Sequence, residues 1–264
     1  MKNKNNPKVS ILIASFNNAR YLRKCINSAL NQNYINKEVI VLDDGSKDQS
    51  MKILKSYKKK IKVVTKKKKK FFVGSYDQLQ SYIQCFKISK GDLICFLDGD
   101  DYFANNKVSL IVEKFVKKKE IKIIYDLPIF FSDEKRKKMK LKKSFSKNYW
   151  SNIMPTSCVS VKRKELSKIF KTISFRLFPD IWLDFRINIY GKYLLKNNFY
   201  LEKNLTFYRQ TNTNVSYQFK HLSKNWWKRR AQAHELIKYF FKKNDITYNK
   251  NLDYFLTKFI NFLN

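Results

Sequence analysis

Residues 38–50 read EVIVLDDGSKDQS, and residues 90–103 read KGDLICFLDGDDYF. In each, a short run dominated by Val, Ile and Leu ends in aspartates: Asp43 and Asp44 in the first, Asp98, Asp100 and Asp101 in the second. Such runs suit strands buried on both faces of a parallel sheet. In an open parallel sheet, ligands bind in the crevice beyond the carboxyl ends of the strands. Two acidic strand ends therefore predict two carboxylate clusters facing one crevice. Like charges that close repel unless a cation lies between them. A divalent ion answers this, since Mg²⁺ takes one or two carboxylates together with phosphate oxygens and water. The plainer reading of each cluster is a DG turn, with Asp48 or Asp101 capping the next helix.

Working outward, Val9–Ser15, Ile61–Thr65 and Ile121–Tyr125 complete a set of five short apolar runs. Helical spacing lies between them. Leu22, Ile26, Ala29 and Leu30 follow Asn18, a plausible cap; Ile53 and Tyr57 mark a second helix. Leu79, Ile83 and Phe86 mark a third that stops at Gly91, expected to be left-handed. Val108, Ile111, Val112 and Phe115 mark a fourth. This alternation predicts an α/β fold with a mostly parallel central sheet flanked by helices. Beyond Asp126 the pattern changes. Residues 133–147 form a basic loop or helix, Ser157–Val161 a short strand, and Ile181, Phe185 and Ile189 an amphipathic helix. Two further strands are expected near Phe199 and over Thr206–Gln210, and two helices after His221. The expected division is 1–126, 127–216 and a helical extension over 217–264.

Composition excludes several classes. Five glycines rule out both GxGxxG and GxxxxGK[ST] at any spacing present. Two histidines and four isolated cysteines offer no zinc-finger spacing, and the cysteines read as small core residues of a reducing compartment. The 264 residues hold 56 Lys and Arg against 21 Asp and Glu, a formal charge of +35. That balance invites a nucleic-acid or anionic-membrane partner. Over-use of Lys, Asn, Phe, Tyr and Ile together is also the mark of AT-rich codons. The apolar run behind the N-terminus is only eight residues, and no run approaches the ~20 of a membrane helix. A cytoplasmic protein is expected, free or peripheral on the inner face of the membrane, with Trp226, Trp227, Lys228, Arg229 and Arg230 meeting anionic lipid.

VSILIASFNNARYLRKCINSALNQ (9–32), then EVIVLDDGSKDQS, then KGDLICFLDGDDYF resembles the nucleotide-sugar-binding half of glycosyltransferase family 2, an inverting family with the GT-A fold. The likeness resumes at MPTSCVSVKR (154–163), FPDIWLDFR (178–186) and FYRQTNTNVS (207–216). The resemblance implies a Rossmann-like GT-A sheet with a smaller mixed acceptor-side region. It implies transfer of a sugar from a nucleotide-diphosphate sugar, most commonly a UDP-sugar, to an acceptor hydroxyl of a glycan or lipid-linked molecule, in surface polysaccharide or glycolipid synthesis. It places Ala14, Ser15, Phe16 and Asn17 along the nucleoside base and Asp43 and Asp44 in the base pocket. Asp98 and Asp100 match the DxD motif: Asp98 approaches the ribose, and Asp100 binds Mg²⁺ or Mn²⁺, with Asp98 as a second candidate ligand. Asp101 is a supporting acid or a helix cap.

An inverting transfer needs a general base. The resemblance implies Asp180, with Asp184 one turn on as the runner-up; a helix N-cap is the alternative for Asp180. Arg209 is a weaker candidate for orienting phosphates. Thr211 stands where the family usually has histidine, so no histidine ligand is expected. Lys66–Lys70 replace a glycine- and arginine-containing approach to a helix and read mainly as solvated charge. Pro155 and Thr156 are expected near the sugar. A nucleic-acid binder using the lysine runs would leave both acidic clusters unexplained, so no nucleic-acid partner is expected. A non-catalytic relative is the remaining alternative.

Overall fold

The computed structural model describes residues 6–66, 74–132, 135–140, 150, 152–172, 177–195, 197–210 and 219–263. The first half alternates as the apolar runs require: β1 (Val9–Ser15), α1 (Ala19–Leu30), β2 (Lys37–Asp43), α2 (Ser50–Ser56), β3 (Lys62–Thr65), α3 (Gly74–Ile88) and β4 (Leu93–Asp98). There follow β5 (Tyr102–Phe103), α4 (Lys107–Lys117), β6 (Ile123–Phe131), β7 (Arg136–Lys138), β8 (Val159–Lys162), α5 (Arg163–Thr172) and α6 (Leu183–Tyr190). A π-helical turn over Gly191–Leu195, β9 (Asn198–Arg209), α7 (Lys224–Lys243) and α8 (Leu252–Leu263) complete the chain.

Among the described residues one sheet joins nine strands in the order β3-β2-β1-β4-β8-β6-β9-β5, with β7 paired to β6. The first four are mutually parallel. Beyond β4 the pairing is mixed: β8 is antiparallel to both neighbours, while β9 runs parallel to β6. Every residue of β1 is buried, and alternate side chains enter opposite cores. Ile11 and Ile13 meet α1 and α4 through Leu22, Ile26, Val108 and Ile111. Leu12 and Ala14 belong to the core that α3, α6 and α7 build with Leu79, Ile187 and Ile237.

Several expectations need correction. Asn18 occupies the N-cap position of α1 without a side-chain cap bond; Asp48 accepts from the Ala19 amide instead, at 2.9 Å. Helix α3 ends at Ile88, and Gly91 is not left-handed; among the described glycines, Gly45 has the positive φ, 74°. Gly91 is needed for close approach, because a Cβ there would press into the Ser10 backbone nitrogen. The two strands foreseen near Phe199 and Thr206 are one, β9, with register shifts against β6 around Leu127 and Pro128. Proline cannot donate to the ladder, which is why it marks an irregularity and not a strand end.

Helix α6 is not amphipathic: every one of its residues is buried. Its polar members find partners inside. The Arg186 guanidinium donates to the carbonyls of Leu177, Phe178 and Ile181, and burial lowers its pKa to about 10. Of the basic stretch 133–147, Arg136–Lys138 form a strand; residues 133–134 and 141–147 lie outside the described residues, as do Lys67–Lys70, Thr211 and the rest of 212–216. No described helix is long and apolar enough to cross a membrane.

Candidate active site

The carboxyl ends of β1 and β4 open into a cavity of about 1820 Å³. Strand order reverses here, since β1 has β2 and β3 on one side and β4 on the other, the switch point where open α/β sheets take ligands. Ala14, Ser15, Phe16, Asn17, Asp44, Asp98 and Asp100 line it. So do Pro155, Thr156, Trp182, Asp184, Tyr208 and Arg229 from the second half of the chain. The two acidic strand ends thus reach one space. Asp43, Asp101, Asp180 and Arg209 lie behind its surface.

Asp43 shapes the loop after β2. Its carboxylate accepts from the Ser46 amide (2.9 Å) and hydroxyl (2.6 Å). Ser46 Oγ in turn accepts from the Asn17 amide, and Asn17 Oδ1 accepts from Lys47 N, each at 2.8 Å. These bonds clamp the β1 loop, where Asn17 has φ 51°, to the β2 loop. Asp44 is ion-paired with Lys66 at 3.0 Å, and Lys66 also reaches Asp77 at 3.8 Å. Lys66 is therefore engaged with two acids that line the cavity and is not simply solvated.

The turn after β4 is held from behind. Asp98 Oδ1 accepts from Gln78 Nε2 (2.7 Å) and Tyr82 OH (2.5 Å). Ser157 Oγ accepts from the Asp98 amide (2.9 Å) and donates to Asp101 Oδ2 (2.6 Å). Asp101 also accepts from the Arg209 amide at 2.8 Å, so it braces this turn; Asn106, not Asp101, holds the cap position of α4. The Arg209 guanidinium sits over the rings of Tyr21 and Phe131 and donates to the Asp100 carbonyl. Burial, reinforced by the Asp100 charge, pushes Asp98 up to about 7. Burial likewise lifts Asp100 to about 6 and Asp101 well above the carboxylate range.

Beneath this turn lies a wholly buried ion pair, Lys107 Nζ to Asp126 Oδ1 at 2.7 Å. Lys107 also donates to the Ser157 carbonyl (2.6 Å) and Thr206 Oγ1 (2.7 Å), and Thr206 donates to Asp126 at 2.6 Å. The lysine thereby ties α4, β6, β9 and the Ser157 turn together. Removing one partner of such a pair leaves an uncompensated buried charge. Lys107→Met is expected to cost about 3–5 kcal/mol in urea unfolding, with much of it recovered in Lys107→Met/Asp126→Leu.

In the second half of the chain, Asp180 accepts from Gln232 Nε2 at 2.6 Å, and its amide donates to the same side chain's oxygen at 3.1 Å. It is not the helix cap; Trp182 holds that position. Asp184, in the first turn of α6, lines the cavity. Its Oδ1 accepts from the Phe185 amide at 2.5 Å. Burial raises its pKa to about 6, against this bond and the Arg229 charge. Sequence reasoning missed Asp77, Gln78 and Tyr82 on α3. Their signal was present: polar groups on a helix that also carries Leu79 and Cys85 to the core.

Among the described residues no group of three or more His, Cys, Asp or Glu is arranged to hold a metal ion. The donor set nonetheless fits a hard divalent cation completed by ligand oxygens and water: Asp98 and Asp100 are carboxylates, both raised in pKa by burial, and both face the cavity.

Solved structures share this architecture. S. aureus TarS 1-349 in complex with UDP-GlcNAc superposes with a TM-score of 0.63 at 17% identity, covering 96% of this chain and 70% of that one. The mannosyltransferase PcManGT from Pyrobaculum calidifontis, in complex with GDP-Man and Mn²⁺, gives 0.57 at 11% identity, covering 98% and 70%. The fold is that of the GT-A glycosyltransferases. The profile of the family described as "Glycosyl transferase family 2" matches residues 10–181, and the chain belongs to that family of sugar-transferring enzymes. An uncharacterized glycosyltransferase of Nostoc sp. is 29% identical over 216 residues, 76% of this chain and 64% of the relative. The chondroitin synthase of Pasteurella multocida is 32% identical over 120 residues, 45% of this chain and 12% of the relative. The chain thus spans less than two thirds of the length of these curated relatives.

Proposed function

We propose that the enzyme transfers a sugar, with inversion, from a nucleotide-diphosphate sugar to an acceptor hydroxyl. The observation that carries this reading is that Asp98, Asp100 and Asp184, brought from the two halves of the chain, line one cavity. The loop Ala14–Asn17 and Asp44 would receive the nucleoside, as the Ser46 clamp between the two loops favours. Asp100, with Asp98 beside it, would hold Mg²⁺ or Mn²⁺. When bound, the ion would neutralise charge growing on the departing diphosphate. Asp184 would take the acceptor proton as the acceptor oxygen bonds to the anomeric carbon and the bond from that carbon to the diphosphate oxygen breaks. Asp180, through Gln232, would buttress the wall carrying Asp184. Arg209 would hold the Asp100 carbonyl, and Asp101 would fix the turn.

A UDP-sugar is the favoured donor, supported by the likeness to TarS, whose structure contains UDP-GlcNAc. A glycan or lipid-linked acceptor, in polysaccharide or glycolipid synthesis, is supported by the synthases among the relatives. A thermal-shift panel of UDP, GDP and dTDP with and without Mn²⁺ tests donor and metal together. A ligand at 100 times its dissociation constant adds about 2.7 kcal/mol, or about 5–10 °C for a chain of this size. The expected result is such a shift with UDP and Mn²⁺ and little with either alone. No shift with any nucleotide and metal would overturn the proposal.

A further inference from the structure

Helix α8 is packed the wrong way round for a core helix. Leu252 (84% exposed), Phe255 (55%), Leu256 (47%), Phe259 (59%), Phe262 (87%) and Leu263 (66%) all face outward. At 3.6 residues per turn these six fall within about a third of the helix circumference. The opposite side is polar and holds the helix to the protein. Asp253 accepts from Arg230 Nε, Trp150 Nε1 and His234 Nε2, each at 2.8 Å. Lys258 pairs with Glu235 at 2.8 Å, and Asn261 donates to the Trp227 carbonyl at 3.0 Å. Among the residues of α8, Thr257 alone is classed as buried. An amphipathic helix that spends its polar side on its own protein leaves its apolar side for something else.

The charge of the segment that carries the stripe selects the occupant. Residues 219–263 contain ten Lys and Arg against three Asp and Glu. Two of those acids, Glu235 and Asp253, are already paired with cations of the same segment. Lys220, Lys224, Lys228, Lys238, Lys242, Lys243, Lys250 and Lys258 are all exposed. A second copy would bring two chains of charge +35 together. It would meet six side chains where a stable interface uses about 20–30 residues a side. An anionic lipid surface complements both features: headgroups take the lysines, and the acyl boundary takes Leu and Phe.

We propose that α8 is a membrane-docking helix that lies in the plane of an anionic lipid surface with the Leu252–Leu263 stripe inserted. The surface differs from the one expected at residues 226–230, where Lys228 is exposed, Trp227 is buried, and Trp226, Arg229 and Arg230 line the cavity. Asp253 joins the docked helix to Arg230 and Trp150 of the cavity wall. The docking does not depend on the proposed transfer chemistry and is tested without it.

The test is flotation of the full chain with phosphatidylglycerol–phosphatidylcholine vesicles and with phosphatidylcholine alone, at low and high salt. The expected result is capture by the anionic vesicles, reduced by salt. The variant Phe255→Ser/Phe259→Ser/Phe262→Ser should bind about tenfold or more weakly, with an unchanged melting temperature because the three rings are exposed. An environment-sensitive fluorophore on Phe259→Cys should shift to the blue on vesicles; the four native cysteines are buried. No binding to anionic vesicles, equal binding by the triple variant, or binding without the blue shift would each overturn the proposal. So would a dimer in light scattering that the triple variant dissociates.

Discussion

Asp184→Asn is expected to lower the rate of sugar transfer by about 10²–10⁴-fold while leaving UDP binding nearly unchanged. Asparagine keeps the size of the side chain and an oxygen to accept from the Phe185 amide, but it cannot take a proton. The same group predicts a pH profile. Burial lifts Asp184 to about 6, so it is protonated and inert as a base below that value and ionised above it. With Mn²⁺ saturating, so that Asp98 and Asp100 are held ionised, kcat/KM of the parent enzyme should rise through about pH 6 and level off, and the rising limb should vanish in Asp184→Asn. Asp180→Asn is the companion measurement. Asp180 lies behind the cavity surface against Gln232, so its replacement should cost less and leave the limb in place. A loss confined to Asp180→Asn would transfer the role of base to that residue.

Asp100→Ala is expected to reduce transfer by about 10²–10³-fold, the usual cost of removing one stabiliser of developing charge, and to abolish the dependence of UDP binding on Mn²⁺. A second result distinguishes this from general damage. In the metal-free protein burial above all, and then the Asp100 charge, raises Asp98 and Asp101. Removing one of three crowded charges should raise the melting temperature at pH 8 while activity falls. Stability exchanged for function in this way is characteristic of a site shaped for a ligand. Unchanged turnover, or unchanged response to Mn²⁺, would remove Asp100 from the proposed metal site.

Lys107 shows a different kind of constraint. Nothing in its local sequence, FANNKVSL, separates it from the many exposed lysines, yet it is wholly buried. Its partners Asp126, Ser157 and Thr206 are 19, 50 and 99 residues away along the chain, and they meet only once the second half has closed on the first. α6 makes the same point. A run of apolar residues separated by Asp184, Arg186 and Asn188 reads as a half-exposed helix, because sequence spacing cannot reveal that backbone carbonyls will satisfy the arginine from within.

What the residues determined alone was the parallel half and its chemistry. The Val, Ile and Leu runs of β1, β2 and β4 bury on both faces inside the sheet, whereas the edge strand β3 stays largely exposed, and the aspartates just past β2 and β4 emerge at the same edge of the sheet. Family membership was legible for the same reason, since those segments lie close to that edge and in a set order. What folding decided was everything that depends on the second half. Which aspartate of FPDIWLDFR lines the cavity turns on the orientation of α6. Whether α8 shows its apolar or polar side depends on Arg230, His234 and Trp150 reaching Asp253. Spacing within a helix defines its two sides; only the partners brought by distant parts of the chain choose which one faces out.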